Sequence, residues 1–139
     1  MNGDAVIIGN PNSGRAGSKG YLERCAEILR SGGLGVEVLN TEHPDHATEL
    51  ASLAGDRLVI AAGGDGTINE VINGLGKEAT LGILPLGTAN VLARELGLPL
   101  DTERACAPGA DVPVQLDGEV WGSLPMSFRV EPEALEVIC

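Results

Sequence analysis

The segment Gly63-Gly64-Asp65-Gly66-Thr67 carries the residue types in this sequence that are best suited to bind phosphate. It follows the apolar run 58–61 and precedes a helix-like pattern that starts at Ile68. Glycine lets a backbone approach an anion closely, and the first turn of a helix offers unpaired amides and the positive end of the helix dipole. We therefore predict a phosphate site at this strand-to-helix junction, with a tight turn that binds nothing as the alternative.

Asp65 is the unusual member of this segment. A carboxylate repels neighbouring phosphates unless a metal ion or a proton lies between them. Its presence favours Mg²⁺ handling or activation of a hydroxyl group over phosphate contact alone. The alternative is that Asp65 only caps the local turn.

A second polar segment, Asn10-Pro11-Asn12-Ser13-Gly14-Arg15, follows the first apolar run. Its glycines have the spacing of a P-loop, GxxxxGK[ST], but Arg15 replaces the lysine and Ala16 replaces the hydroxyl residue that would hold Mg²⁺. We therefore reject the P-loop and expect a polar loop whose basic residues contact phosphate, or else a solvated loop. The basic residues in or beside it are Arg15, Lys19 and Arg24.

A third segment, Leu86-Gly87-Thr88-Ala89-Asn90, repeats the order of strand, loop and helix. Taken alone it favours an ordinary helix capped by Thr88. Near the other end of the chain, Asp117-Gly118-Glu119 predicts the turn of a β-hairpin between strands at 112–116 and 119–121.

Other chemistry-bearing residues favour structural roles. His43 and His46 lie three residues apart with no third ligand evident, so a metal site there is disfavoured. The three cysteines, Cys25, Cys106 and Cys139, form no CxxC pair; we expect core packing and a reduced, cytoplasmic setting.

The elements that must position these segments alternate along the first 99 residues. Strand-like runs lie at 5–8, 34–39, 58–61 and 81–84, and helix-like patterns lie at 18–30, 46–54, 68–75 and 88–96. This order predicts an α/β fold, a parallel sheet with helices on both faces, in which ligands bind beyond the carboxyl ends of the strands. We name the segments at those ends the first loop (10–20), the second loop (63–67) and the third loop (86–90).

The composition excludes several classes of function. With 9 basic and 20 acidic residues the net charge is −11, which argues against nucleic-acid binding and strong adhesion to anionic membranes. Aromatic residues make up 2% of the chain, too few for stacking platforms. No apolar run is long enough for a transmembrane helix, and the first residues lack a signal-peptide pattern.

Together the three loops resemble the diacylglycerol kinase-like lipid kinases, a family that includes bacterial diacylglycerol kinases and sphingosine kinases. The matching stretches are NPNSGRAG (10–17), GGDGTINEVINGL (63–75) and PLGTANVLARELGLP (85–99). GGDGT alone is shared with NAD kinases, whereas the third stretch is more specific. The stretch VQLDGEVWG (114–122) resembles the closing segment of the same kinases.

The resemblance implies an ATP-binding domain with a fold like that of NAD kinase and phosphofructokinase, and a β-rich lipid-binding domain. We expect residues 1–106 to form the first and residues 107–139 to be a short β-rich remnant of the second, most of which has no counterpart here. The implied function is transfer of a phosphoryl group from ATP, with Mg²⁺, to a lipid hydroxyl. A non-catalytic nucleotide-binding module and a kinase for a small soluble acceptor such as NAD stay open, as do a homodimer and weak peripheral membrane contact.

The resemblance also implies a role for individual residues. Asp65 would lie at the γ-phosphate through Mg²⁺, and Glu119, beside Asp117, would be the general base. The implied nucleotide contacts are Asn10, Pro11, Asn12, Ser13, Gly14, Arg15, Thr41, Gly63, Gly64, Asp65, Gly66, Thr67, Ile68, Asn69, Gly87, Thr88 and Asn90.

Overall fold

Four parallel strands form the central sheet of a computed structural model, which describes residues 4–12, 20–77, 79–98, 100, 113–116 and 119–123. The strands are joined in the order β2-β1-β3-β4, with every pair parallel. Buried apolar runs form the two central strands, as expected for a sheet covered on both faces. The strands are β1 (Asp4–Gly9), β2 (Gly35–Asn40), β3 (Leu58–Gly63) and β4 (Thr80–Pro85).

Helices follow each of these strands and cover both faces of the sheet. They are α1 (Tyr21–Ser31), α2 (His46–Ser52), α3 (Asp65–Gly74) and α4 (Val91–Glu95). Since side chains alternate along a strand, β1 contributes to two separate cores. Ala5 and Ile7 pack with α1 on one face, whereas Val6 and Ile8 pack with α2 and α3 on the other. The predicted fold class is confirmed.

The reversal of strand order creates a crevice between β1 and β3. The helix after β1 lies on one face and the helix after β3 lies on the other, so the loops that lead to them diverge. In open α/β sheets such a point is where ligands bind. The first and second loops both start there.

A separate antiparallel pair follows: β5 (Pro113–Leu116) and β6 (Glu119–Ser123). This pairing confirms the predicted hairpin, although the turn residues Asp117 and Gly118 lie outside the described residues. The strands predicted at 128–130 and 135–138 also lie outside them. Among the described helices, none has the length and apolarity needed to cross a bilayer.

Three helix starts differ from the prediction, and in two of them a residue in the left-handed conformation precedes the helix. α1 begins after Gly20, whose φ is 87°, rather than at Ser18. α4 begins after Asn90, whose φ is 50°, so the prediction that Thr88 caps it is wrong. α3 begins at Asp65, three residues earlier than the apolar pattern indicates.

Candidate functional site

The strand register brings the starts of the three loops and Thr41 to one edge of the sheet. Gly9 pairs with both Asn40 and Ala62, so β1, β2 and β3 end level. The amide of Thr41 donates to the carbonyl of Gly9 at 2.9 Å. Because β4 also ends beside β3, the three loops and Thr41 begin at the same carboxyl edge.

The second loop presents a helix start to this edge. Gly64 precedes α3 in an extended conformation, with φ −83° and ψ −175°, and its carbonyl accepts the amide of Ile68 at 3.1 Å. The amides that precede Ile68 belong to the first turn of α3, and amides in that position have no acceptor within their own helix. Gly66 is exposed, and a Cβ placed there would meet no atom within 4 Å. The backbone of this turn is therefore accessible to an anion.

Gly63 is required by packing inside the second loop. A Cβ at Gly63 would lie 2.7 Å from the Thr67 Cβ and 2.8 Å from its Oγ1. Thr67 is half-buried, and Asn69 is exposed on α3. Ile68 is 1% exposed and belongs to the core on the α2 face, so its side chain anchors the loop, and its amide is engaged by the Gly64 carbonyl.

The third loop packs against the second loop backbone to backbone. The amide of Leu86 donates to the Gly63 carbonyl at 2.9 Å. A Cβ at Gly87 would lie 2.5 Å from the Gly64 Cα, so only glycine permits this approach. The glycines that mark a phosphate loop in the sequence therefore also set the distance between the two loops.

Asn90 closes the third loop on itself. Its side chain is 6% exposed, its Oδ1 accepts the amide of Gly87 at 2.9 Å, and its Nδ2 donates to the Gly87 carbonyl at 2.8 Å. Both polar atoms are therefore engaged within the loop. Thr88 and Ala89, between them, are exposed, which leaves Thr88 as the accessible hydroxyl of this loop.

Asp65 joins the second loop to α4. Its Oδ1 accepts the amide of Val91 at 2.8 Å, although the two residues are 26 positions apart. Among the described residues, the other carboxylate oxygen has no hydrogen-bond partner. A half-buried carboxylate with one such oxygen fits Mg²⁺, which proteins commonly hold through one or two carboxylates together with phosphate oxygens. Asp65 is therefore a cap, as one interpretation held, but of a different helix.

The first loop is only partly described. Asn10 is half-buried, and its Oδ1 accepts the amide of Asn12 at 2.9 Å, which forms a tight turn after β1 together with the half-buried Pro11. Ser13, Gly14 and Arg15 lie outside the described residues.

Arg94 is a basic group near the site that the sequence analysis missed. It is exposed on α4, and its Nε donates to the Ala89 carbonyl of the third loop at 2.7 Å. A basic residue in the last turn of a helix is common because it interacts favourably with the helix dipole, so Arg94 carries no specific signal in the sequence.

His43 and His46 do gain a third neighbour, contrary to the sequence analysis. Potential ligand atoms of His43, His46 and Glu49 lie within 4.8 Å of one another. However, the two rings are stacked, with centroids 4.4 Å apart and planes 14° apart, and Nδ1 of His46 accepts the amide of Glu42 at 3.0 Å. Nearly parallel rings do not direct their nitrogens at one ion, so this is not a preformed metal centre.

The predicted general base belongs to the hairpin. Glu119 is the first residue of β6, where its backbone pairs with Leu116. Asp117, its predicted neighbour, lies outside the described residues. The role of both stays a prediction.

Comparisons with known proteins show the family of the chain. The profile of the diacylglycerol kinase catalytic domain matches residues 4–111. The chain belongs to this family. A diacylglycerol kinase from Bacillus subtilis (strain 168) is 45% identical over an alignment of 101 residues that covers 68% of this chain and 33% of that protein. A Klebsiella pneumoniae (strain 342) protein named "Probable lipid kinase YegS-like" is 37% identical over an alignment of 113 residues that covers 75% of this chain and 38% of that protein.

Solved diacylglycerol kinase structures show the same fold. One from Bacillus anthracis (strain Sterne) is 30% identical and superimposes with a TM-score of 0.60, covering 76% of this chain and 40% of the other. The family expected from the three loops is thus confirmed. The chain spans about a third of the length of the curated relatives that it matches.

Proposed function

We propose that this diacylglycerol kinase-family chain binds Mg-ATP at the carboxyl edge of its sheet and serves phosphoryl transfer to a lipid hydroxyl. The observation that carries the proposal is the backbone contact between the second and third loops. It fixes an accessible helix start, Gly66 included, beside a carboxylate with one oxygen that no described residue engages. Amides and a single carboxylate suit a triphosphate that carries Mg²⁺.

In the proposed reaction the acceptor oxygen attacks the γ-phosphorus while the bond to the β-phosphate oxygen breaks and ADP leaves. The acceptor's proton passes to a carboxylate, for which Glu119 is the predicted group. Mg²⁺, when bound, would neutralise phosphate charge, with Asp65 as its protein ligand. The loop amides would orient the phosphates, and we assign nucleotide contacts to Thr41, Thr88 and the first loop.

A lipid acceptor is favoured by the relatives, because both curated proteins named above are described as diacylglycerol or lipid kinases. NAD is the alternative acceptor, since GGDGT also occurs in NAD kinases. A second candidate function is nucleotide binding without transfer. It is favoured by the share of the relatives' length that this chain spans, about a third.

Two linked measurements on the full chain separate these functions. Calorimetry with ATP, with and without Mg²⁺, measures binding; transfer of ³²P from ATP to diacylglycerol in mixed micelles, or to NAD, measures activity. We expect Asp65→Ala to lose the Mg²⁺-dependent part of binding, and Glu119→Ala to bind normally but lose transfer. Asp56→Ala, which removes an exposed carboxylate before β3 at the opposite edge, is the matched control.

Each outcome selects one function. Binding with lipid transfer supports the kinase, and labelling of NAD alone would overturn the lipid acceptor. Binding without transfer leaves the nucleotide-binding module. If ATP does not bind, the site assignment fails.

A further inference from the structure

The third loop leads directly into the short helix α4, and few contacts hold the start of that helix. α4 has five residues, too few to be stable alone, and no side-chain cap from its own N-cap residue. Ala93 is buried, but Val91, the first residue of the helix, is 52% exposed. Burial therefore anchors the middle of α4 and leaves its start dependent on polar contacts.

Neither residue that could cap α4 locally does so. Both polar side-chain atoms of Asn90, the N-cap residue, hydrogen-bond to Gly87. Thr88, the cap predicted from the sequence, is exposed. The amide of Val91 is instead satisfied by Asp65 Oδ1, at 2.8 Å, from the first turn of a different helix.

This contact differs from an ordinary cap in strength and in consequence. The acceptor is a carboxylate, and charge-assisted hydrogen bonds to a backbone amide are stronger than neutral ones. Asp65 is also the first residue of α3, so one carboxylate faces the positive ends of two helices. The hydrogen bond from Val91 to Asp65 links the end of the third loop to the second loop. Gly64 of the second loop and Gly87 of the third loop are also in contact.

We propose that Asp65 is a positioning residue that holds the second and third loops at the spacing needed for the triphosphate, in addition to any contact with Mg²⁺. Its Oδ1 accepts the Val91 amide, and its Oδ2 remains available to bind the metal. The positioning part needs an acceptor but no charge, whereas the metal part needs the charge. The link to the triphosphate rests on the proposed function; the link between the loops does not.

Asp65→Asn and Asp65→Ala separate the two parts, because asparagine keeps a carbonyl acceptor and alanine does not. The first readout is hydrogen–deuterium exchange of the Val91 amide, by NMR, without nucleotide. Loss of a helix cap predicts about fivefold faster exchange in Asp65→Ala, with Asp65→Asn within about twofold of wild type. Asp56→Ala is the control for removal of a carboxylate, and circular dichroism checks the fold of each variant.

The second readout is ATP affinity in EDTA and in Mg²⁺. In EDTA both variants lose the repulsion between the Asp65 carboxylate and the phosphates, so they are compared with each other: we expect Asp65→Ala to bind ATP about fivefold more weakly than Asp65→Asn. In Mg²⁺ both variants bind more weakly than wild type. Unchanged Val91 exchange in Asp65→Ala overturns the loop contact. Equal ATP affinities of the two variants in EDTA overturn the positioning role in binding. If wild type binds no ATP, the proposed function fails, while the exchange arm still decides whether Asp65 holds the loops together.

Discussion

Replacing Gly66 by alanine should weaken ATP binding and yet raise the free energy of unfolding. Nothing lies within 4 Å of a Cβ placed there, and its φ is not positive, so alanine fits the folded state. Gly66→Ala should stabilise the chain by about 0.5–1 kcal/mol, because glycine loses more backbone entropy on folding. The added methyl group should obstruct a phosphate on the first turn of α3 and weaken ATP binding.

Urea unfolding and calorimetry measure the two effects of Gly66→Ala. Gly76→Ala is the matched control, since Gly76 also has no neighbour within 4 Å and lies after α3 rather than in its first turn. Undiminished ATP affinity in Gly66→Ala would show that the nucleotide does not approach this turn.

The variant Asn90→Gly tests how much the hydrogen bonds within the third loop contribute to stability. Asn90→Gly keeps a residue tolerant of φ 50° and removes both bonds to Gly87, so the effect is not one of backbone strain. Removing the two hydrogen bonds to the half-buried Gly87 should cost about 1–3 kcal/mol of stability in total. Chemical denaturation measures the loss, and a stability equal to that of wild type would assign no role to these bonds.

At the residue scale the sequence predicted residue types better than roles. The glycines of the second and third loops were identified from their context alone. Their mutual contact was not, because positions 64 and 87 are far apart in the chain and nothing in a loop's composition encodes its neighbour. The nucleotide contact of Asn90 stays a prediction, and the structure adds that its side chain hydrogen-bonds to Gly87, which the sequence does not indicate.

Among the elements, the packing of α2 on α3 depends on Gly74. A Cβ there would overlap the Thr48 carbonyl oxygen and lie 2.9 Å from the Ala51 Cβ. The same contact includes a hydrogen bond from Thr48 Oγ1 to the Glu70 carbonyl at 2.9 Å. Gly74→Ala should therefore force the helices apart and destabilise the chain by about 1–3 kcal/mol, as overpacking does.

Thermal unfolding of Gly74→Ala and Gly76→Ala provides the comparison for this interface. Gly76→Ala should unfold close to the wild-type temperature, since its Cβ meets open space. Similar melting temperatures for both variants would contradict the tight approach of α2 and α3.

Strand positions were predictable to within one or two residues because buried parallel strands are continuous apolar runs bounded by glycine or proline. Helix starts were less predictable. Capping propensity pointed to Ser18 and Thr88, but residues in the left-handed conformation, Gly20 and Asn90, precede the helices instead. The capping of α4 by Asp65 is a tertiary contact with no local signature.

For the molecule as a whole, the net charge argues against nucleic acid as a partner. With a charge of −11, the chain should repel duplex DNA. Fluorescence anisotropy with labelled DNA at low salt should show no saturable binding. Saturable binding that weakens steeply with added salt would contradict this and reveal a concealed basic face.

The domain boundary near residue 106, the homodimer, the peripheral membrane contact and the cytoplasmic location stay predictions. Sedimentation equilibrium at working concentration tests the homodimer directly, and a monomer would count against it. The two-sided α/β fold, by contrast, followed from the order of apolar and amphipathic segments, which the strand pairing confirms.

An NMR titration of the isotope-labelled full chain with Mg-ATP would locate the nucleotide site. We expect perturbed amides to cluster at the carboxyl edge, in the first, second and third loops and at Thr41. Amides at the opposite edge, such as those of Gly35, Leu58 and Thr80, should stay unperturbed. Perturbations centred on that opposite edge, or none at saturating Mg-ATP, would contradict the assignment of this edge as the nucleotide site.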